Sequence, residues 1–119
     1  MEQTKLQELK RIAANVRLGA LECVYSAASG HPGGALSIAD ILTYLYFAHM
    51  HIDSKNPTWS ERDRFVLSKG HTCPALYAVL AEKGYFPKED LKTFRQIDSY
   101  LQGHPDMKQT CLLYTSPSP

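Results

Sequence analysis

The sequence predicts an α/β protein whose 119 residues are mostly helical. Three observations carry this prediction. A long helical pattern fills the start of the chain, and a second helical pattern follows a Gly- and Pro-rich stretch at 29–34. A short apolar run at 64–68 then leads into a third helix. A continuous apolar strand followed directly by a helix is typical of proteins with a buried parallel sheet.

The first helix is predicted from about Gln3 to Ala28, with Gly30 placed to end it. Its apolar residues recur at steps of three and four, which is the spacing of one helix face. They are Leu6, Leu9, Ile12, Ala13, Val16, Ala20, Val24 and Ala27.

The second helix is predicted to begin at Ser37, because Ser37 and Asp40 form a variant of the capping box. Its apolar face extends through Phe47. The preceding stretch, Ser29–Gly34, holds one titratable ring, His31, among residues with small side chains or none. Two interpretations stay open here: an ordinary connection between helices, or a tight loop that presents an imidazole to a ligand.

The only convincing strand is 64–68, Arg-Phe-Val-Leu-Ser. A third helix is predicted from Ala75 to Lys83, with Pro74 at its start and Gly84 at its end. A further helix, opened by Pro87, is predicted around 88–96, with Leu91, Phe94 and Ile97 on its apolar side.

One buried strand does not make a sheet, since a parallel sheet needs several strands joined by crossovers. We therefore expect residues 1–110 to be a partial domain of a larger α/β protein. The last stretch, 111–119, has neither a helical nor a strand period and ends in Ser-Pro repeats. We expect it to be a non-native or disordered tail.

Composition argues against several classes of function. The net charge is +1 and 21% of residues are charged, so neither a nucleic-acid-binding patch nor an acidic tail is indicated. No apolar run is long enough to span a membrane. The polar N-terminus, and an odd number of cysteines with no CxxC pair, favour a cytoplasmic protein. No metal site is predicted, because His49 and His51 lack a carboxylate or cysteine at ligand spacing.

Three of the five histidines follow glycine directly: His31, His71 and His104. His71 comes just after the predicted strand, and ligands of open α/β sheets bind outside the carboxyl ends of the strands. Lys69 adds a positive charge there, and the following helix offers N–H groups at its start, which suits a phosphate. Arg95 is either a surface charge or a phosphate clamp.

These motifs together resemble the N-terminal section of the transketolase family, over roughly residues 3–110. The matching segments, in order, are Ser29–Gly33, Asp63–His71, Phe94–Gln96 and Gly103–Pro105. The resemblance implies an N-terminal part of a thiamine-diphosphate-binding, parallel-sheet domain. The implied enzyme transfers a two-carbon ketol unit from a ketose phosphate to an aldose phosphate. The thiamine diphosphate supplies a nucleophilic carbon and an electron sink for this chemistry.

The resemblance also implies roles for six residues. His31 and His104 are the expected catalytic residues, which also bind substrate hydroxyls. His71, Lys69 and Gly70 are expected to bind the cofactor, and Arg95 to bind the substrate phosphate. The parent is expected to be a cytoplasmic homodimer or a split two-chain enzyme, acting in the pentose phosphate pathway.

The Gly-rich stretch and the Gly-Asp-Gly motif that hold magnesium and diphosphate in this family do not occur after Thr110. We therefore expect the 119-residue chain to be inactive alone, although the parent enzyme uses Mg²⁺. Two alternatives stay open. One is a non-enzymatic helical interaction subunit, and the other is a relative of the deoxyxylulose-phosphate synthases.

Overall fold

A computed structural model describes residues 2–28, 32–65, 67, 72–94, 96 and 99–101 of the chain. Three α-helices lie within these ranges. They are α1 (Gln3–Ala27), α2 (Pro32–Tyr44) and α3 (Cys73–Lys83). A π-helical turn (Leu45–His49) continues α2, and a 3₁₀ helix (Lys88–Thr93) follows α3.

Helix α3 is the centre of the fold, with α1 and α2 packed against it and against each other. All its residues from Cys73 to Ala81 are buried. A helix that is apolar on every side is stable in water only when other elements cover it all round. The sequence of α3 therefore determines that it lies inside.

Small residues let these helices approach closely. A Cβ placed on Gly19 of α1 would lie 3.0 Å from the Cβ of Ala78 and 3.2 Å from Cδ1 of Leu91. Glycine is unfavourable inside a helix by about 1 kcal/mol relative to alanine, and the missing side chain here makes room for α3. The helices then share one apolar core, whose members include Val16, Ala20, Ala35, Ala39, Leu42, Ala75 and Leu76.

The prediction for α1 is confirmed at its start and at most of its buried face. The helix ends at Ala27, one residue before the predicted end at Ala28, and its C-cap is Ala28 instead of the expected Gly30. Ala28 adopts the left-handed conformation, with φ 53° and ψ 30°, and its N–H bonds to the carbonyl oxygens of Tyr25 and Val24. The glycine two residues later is not needed as the C-cap, because an alanine already takes that conformation.

The predicted start of α2 at Ser37 is wrong, since the helix begins at Pro32. Proline is well suited to the first turn, where its missing N–H costs no hydrogen bond. Ser37 is not an N-cap: its hydroxyl donates to the carbonyl oxygen of Gly34 at 2.7 Å. Asp40 does not complete a capping box either, because it pairs with Arg17 of α1.

The predicted strand at 64–68 is not formed at its described residues. Arg64, Phe65 and Leu67 are not part of a β-strand. Val66 and Ser68 lie outside the described residues. Leu67 is nevertheless buried, at 5% exposure, as predicted. A strand requires a neighbour that accepts and donates its backbone hydrogen bonds, and the described part of the chain provides none.

The third helix is confirmed, with Pro74 in its first turn and Gly84 left-handed at φ 100° as its C-cap. The fourth is a 3₁₀ helix that ends at Thr93, so the prediction to Gln96 was too long. Leu91 and Phe94 are buried, as predicted for its apolar side. Ile97 lies outside the described residues.

None of the described helices combines the length and the apolar character that crossing a membrane requires.

Candidate functional site

The six predicted site residues all lie outside the described residues: His31, Lys69, Gly70, His71, Arg95 and His104. The structure describes the residues that flank them, and these show which parts of the fold carry each segment. Pro32 follows His31 as the first residue of α2, and Thr72 follows His71 immediately before α3. Phe94 and Leu101 precede Arg95 and His104 along the chain.

The first turn of α2 is packed against the start of α3. A Cβ placed on Gly34 would lie 2.6 Å from Cγ2 of Thr72, which is far inside van der Waals contact. Thr72 is fully buried, with 0% exposure. The fold therefore brings together the helix starts that follow the Gly-His pairs at His31 and His71.

The segment before the third Gly-His pair packs on the same helix, further along. The Phe94 ring meets the Tyr77 ring of α3 edge-on, with centroids 6.0 Å apart. Leu101 is fully buried in the same core. The hydroxyl oxygens of Thr93 and Ser99 are hydrogen-bonded at 2.7 Å, and the Leu101 N–H donates to the Ser99 hydroxyl oxygen at 3.0 Å. These two bonds hold this segment. Helix α3 is thus the common support of all three predicted segments.

The start of α3 has the electrostatics of an anion-binding end. The side chain of its N-cap residue, Thr72, makes no capping hydrogen bond, and the first turn contains no acidic residue. The helix dipole places partial positive charge at this end, and the N–H groups of a first helical turn point out of the helix. The described residues around Thr72 are therefore compatible with a diphosphate, although the predicted contacts from Lys69 and His71 lie outside them.

Two cysteines lie in the core beside this site. Cys23 of α1 and Cys73 of α3 are both buried, with 0% exposure, and neither forms a disulfide bond within the described part of the chain. Burial raises the pKa of the Cys23 thiol to about 12, and the nearby Cys73 and Glu22 add to the shift. Thiols of this kind are inert packing groups at neutral pH.

His49 and His51, the two candidate metal ligands, contact different side chains. The Nδ1 of His51 lies 3.4 Å from a carboxylate oxygen of Asp63, on the surface. His49 instead meets the ring of Tyr44, with centroids 6.1 Å apart. Among the described residues, no cluster of three or more histidine, cysteine or acidic side chains could hold a metal ion.

The sequence did not single out Gly34 or Thr72 as partners. The close approach of the Gly-rich stretch was expected to serve a ligand, whereas at Gly34 the neighbour is the Thr72 side chain. Gly34 and Thr72 are separated by 38 positions, and a contact between two small residues that far apart produces no pattern in a single sequence.

Comparison with known proteins decides the family. Residues 8–119 match the family model described as the thiamine diphosphate binding domain of transketolase. The chain belongs to the transketolase family. It is 45% identical over 108 residues to the transketolase of Pongo abelii and 40% identical over 111 residues to transketolase 1 of Escherichia coli. These alignments cover 91% and 92% of this chain.

A second kind of relative is the SqwG subunit of a 6-deoxy-6-sulfo-D-fructose transketolase from a Clostridium species. It is 50% identical over 103 residues, which cover 87% of this chain and 38% of that subunit. The chain spans only 17% of the length of the Pongo and Escherichia coli transketolases. The family thus includes both long polypeptides and a much shorter subunit.

Solved transketolases share the fold. The Pichia stipitis enzyme in complex with sedoheptulose 7-phosphate superposes with a TM-score of 0.83 at 39% identity, over 92% of this chain and 16% of that one. The Campylobacter jejuni enzyme gives 0.79 at 44% identity, over 87% of this chain and 16% of that one. The predicted fold class is confirmed: this is an N-terminal part of a transketolase thiamine-diphosphate-binding domain, and it is mostly helical.

Proposed function

We propose that the protein carrying this sequence is a transketolase that moves a two-carbon ketol unit between sugar phosphates, using thiamine diphosphate and Mg²⁺. The match of residues 8–119 to the family's thiamine diphosphate binding domain carries the proposal. The three Gly-His pairs supply the chemistry, because an imidazole can donate, accept or shuttle a proton near neutral pH.

The start of α3 supports the cofactor assignment. The N-cap residue Thr72 makes no side-chain capping hydrogen bond, and the first turn contains no acidic residue, which favours an anionic group. Lys69, Gly70 and His71, directly before it, would hold the diphosphate. When bound there, thiamine diphosphate supplies the nucleophilic carbon and the electron sink that cleavage beside a ketone requires.

The remaining roles belong to side chains of the other two segments. His31 and His104 would bind the donor hydroxyls and move protons at the reacting carbons. Arg95 would bind the phosphate of the substrate through a charge-assisted contact. The described flanking residues of these segments pack on α3 or at its start, so one rigid element can orient all three.

The direct experiment is ketol transfer by the full-length protein, with fructose 6-phosphate as donor and an aldose phosphate as acceptor. We expect His31→Ala to lower kcat by about 100-fold or more while changing thiamine diphosphate affinity by less than about threefold. Equal loss of turnover and cofactor affinity would contradict the role given to His31. A wild-type protein with no ketol-transfer activity would contradict the function.

The 119-residue chain itself is predicted to be inactive, because the sequence motif that holds magnesium in this family is absent from it. Calorimetric titration of the isolated chain with thiamine diphosphate and Mg²⁺ checks this. We expect no binding tighter than millimolar, corresponding to about −4 kcal/mol. Tighter binding would show that these residues form a sufficient cofactor site alone.

A second candidate is ketol transfer from a sulfonated ketose. The relative named as a 6-deoxy-6-sulfo-D-fructose transketolase subunit has the 50% identity noted above, against 45% for the Pongo transketolase. A parallel assay with fructose 6-phosphate and 6-deoxy-6-sulfofructose as donors discriminates the two. The preferred donor is the one with the higher kcat/KM. A preference for the sulfonate would also favour a two-chain assembly, whereas we otherwise propose a homodimer.

The cellular setting belongs to the same proposal. A transketolase of this kind acts on the sugar phosphates of the pentose phosphate pathway in the cytoplasm. Fractionation of the source cells, followed by detection of the full-length protein, tests the compartment.

A further inference from the structure

We propose that Gly34 and Thr72 are positioning residues, whose contact sets the distance between the start of α2, which follows His31, and the start of α3, which follows His71. The inference rests on the proposed function, which gives the segments that precede these two helices their roles toward substrate and cofactor. Neither Gly34 nor Thr72 needs to touch either molecule for this. They would act through the helix starts that they hold together.

The requirement for glycine at position 34 is one of space. Gly34 lies inside α2, and its φ is not in the left-handed region, which among the described glycines only Gly84 occupies. Any residue could adopt that backbone conformation. A Cβ at this position, however, would lie 2.6 Å from Cγ2 and 3.8 Å from Cβ of Thr72. At the neighbouring Gly33, nothing lies within 4 Å of an added Cβ.

Thr72 has little freedom to yield. It is fully buried at the N-cap of α3, followed by nine buried residues. A β-branched side chain also has few alternative rotamers. Within α2, the Ser37 hydroxyl donates to the Gly34 carbonyl oxygen at 2.7 Å, which stabilises the first turn against local rearrangement. A side chain at position 34 must therefore move the start of α2 away from α3.

Such a displacement reaches the site through short covalent paths. Gly34 is three residues from His31, and Thr72 adjoins His71. Moving α2 by about 1 Å changes the distance between the starts of α2 and α3, and misplacement of that size at a catalytic site can cost about 100-fold in rate. The contact is thus a determinant of catalysis made entirely from apolar atoms.

A double-mutant cycle in the full-length protein tests this, with Gly34→Ala, Thr72→Ser and the double variant. Thr72→Ser removes Cγ2 and keeps the hydroxyl. We expect Gly34→Ala to lower the unfolding temperature of the cofactor-free protein, to weaken thiamine diphosphate binding by more than about threefold and to lower kcat by about tenfold or more. Adding Thr72→Ser should restore all three quantities to near the values of Thr72→Ser alone.

Gly33→Ala is the matched control for the unfolding temperature, since it adds the same methyl group in open space. We expect it to leave that temperature unchanged or to raise it slightly through helix propensity. The proposal is overturned if Gly34→Ala behaves like Gly33→Ala, or if Thr72→Ser gives no rescue. It is also overturned if the cycle shows coupling in unfolding temperature but none in cofactor affinity and kcat.

Failure of the proposed function is distinguishable from failure of this inference. A wild-type protein that transfers no ketol group removes the catalytic role of both residues. The coupling in unfolding temperature would still be present in that case, because it depends on the contact alone.

Discussion

At the scale of single residues, the core beside the candidate site is built from groups that are small, buried and chemically quiet. Gly19 and Gly34 lie where an added side chain would meet a neighbouring residue. Cys23 is shielded completely from solvent. Cys23 and Cys73 are near each other and fully buried, so neither is exposed to oxidants or alkylating reagents. Their burial separates them from the imidazole chemistry proposed for this protein.

The raised pKa of Cys23 gives a prediction about reactivity. The folded protein keeps this thiol protonated up to about pH 12, whereas its ordinary pKa is 9.0. Folding is therefore favoured by this group below about pH 9 and loses that contribution as the pH rises toward 12. In the folded protein, alkylation of Cys23 by iodoacetamide should stay slow between about pH 7 and about pH 9.

Peptide mapping by mass spectrometry measures this labelling residue by residue. Tyr25→Cys is the matched control, because position 25 is on the same helix and 87% exposed. Its labelling should rise about tenfold per pH unit below its pKa, and Cys23 should behave in the same way only in denaturing urea. Labelling of native Cys23 that follows the control would show that it is accessible.

At the scale of elements, the sequence predicted helices best where apolar spacing and end signals agreed. The start of α1 at Gln3, and Pro74 and Gly84 at the ends of α3, are found where they were expected. The start of α2 was missed because Pro32-Gly33-Gly34 has the composition of a loop. Proline fits a first helical turn equally well, and the tertiary contact with Thr72, not helix propensity, explains the glycine at 34.

The end of α1 leads to a stability prediction. Ala28 takes the left-handed conformation at φ 53°, which costs a residue with a Cβ about 1–2 kcal/mol. Glycine avoids that cost but gives a more flexible unfolded chain, so Ala28→Gly should stabilise the last turn of α1 by about 0.5–1 kcal/mol. Native-state amide exchange of that turn is the measurement. Ala14→Gly, at an exposed helical position of α1, should instead cost about 1 kcal/mol.

The packing of α1 on α3 supplies another prediction. Gly19 has Ala78 at 3.0 Å and Leu91 at 3.2 Å from its missing Cβ, so a leucine there must separate the two helices. We expect Gly19→Leu to destabilise the protein by about 1–3 kcal/mol in urea unfolding. Ala14→Leu adds a leucine on the exposed face of the same helix and should change stability by less than about 0.5 kcal/mol. Similar effects of the two variants would refute the close helix contact.

At the scale of the whole molecule, the sequence predicted the protein family and the fold class, but it could not establish that the expected strand at 64–68 belongs to a β-sheet. The apolar run at 64–68 has strand composition, yet its described residues have no strand partner. Strand formation depends on hydrogen bonds to another segment, so a local pattern cannot establish it. The six candidate site residues were chosen by motif and resemblance, and their roles stay predictions, because they lie outside the described residues.

The helices also leave apolar side chains on the surface. Leu18 is 65% exposed, Ile41 59% and Tyr25 87%. Single exposed apolar residues are common in stable proteins, but here they accompany a groove between α1 and α2. The groove is lined by Leu6, Leu9, Ala13, Thr43 and Tyr44, together with the charged Lys10, Arg17 and Asp40. The chain spans 17% of the vertebrate relatives it matches, and small domains bury a smaller share of their surface.

We therefore expect a polypeptide of residues 1–110 to be marginally stable when studied alone. Its thermal unfolding, followed by circular dichroism, should be broad, and it should bind the dye ANS at temperatures where its helices persist. The full-length protein is the reference, and should unfold cooperatively without binding the dye beforehand. A monomeric 1–110 polypeptide that unfolds in a sharp, cooperative transition would show that α1 and α2 packed on α3 suffice for a stable core. In that case the exposed apolar residues would need no cover from the rest of the protein, and the alternative of a self-contained helical interaction subunit would gain support.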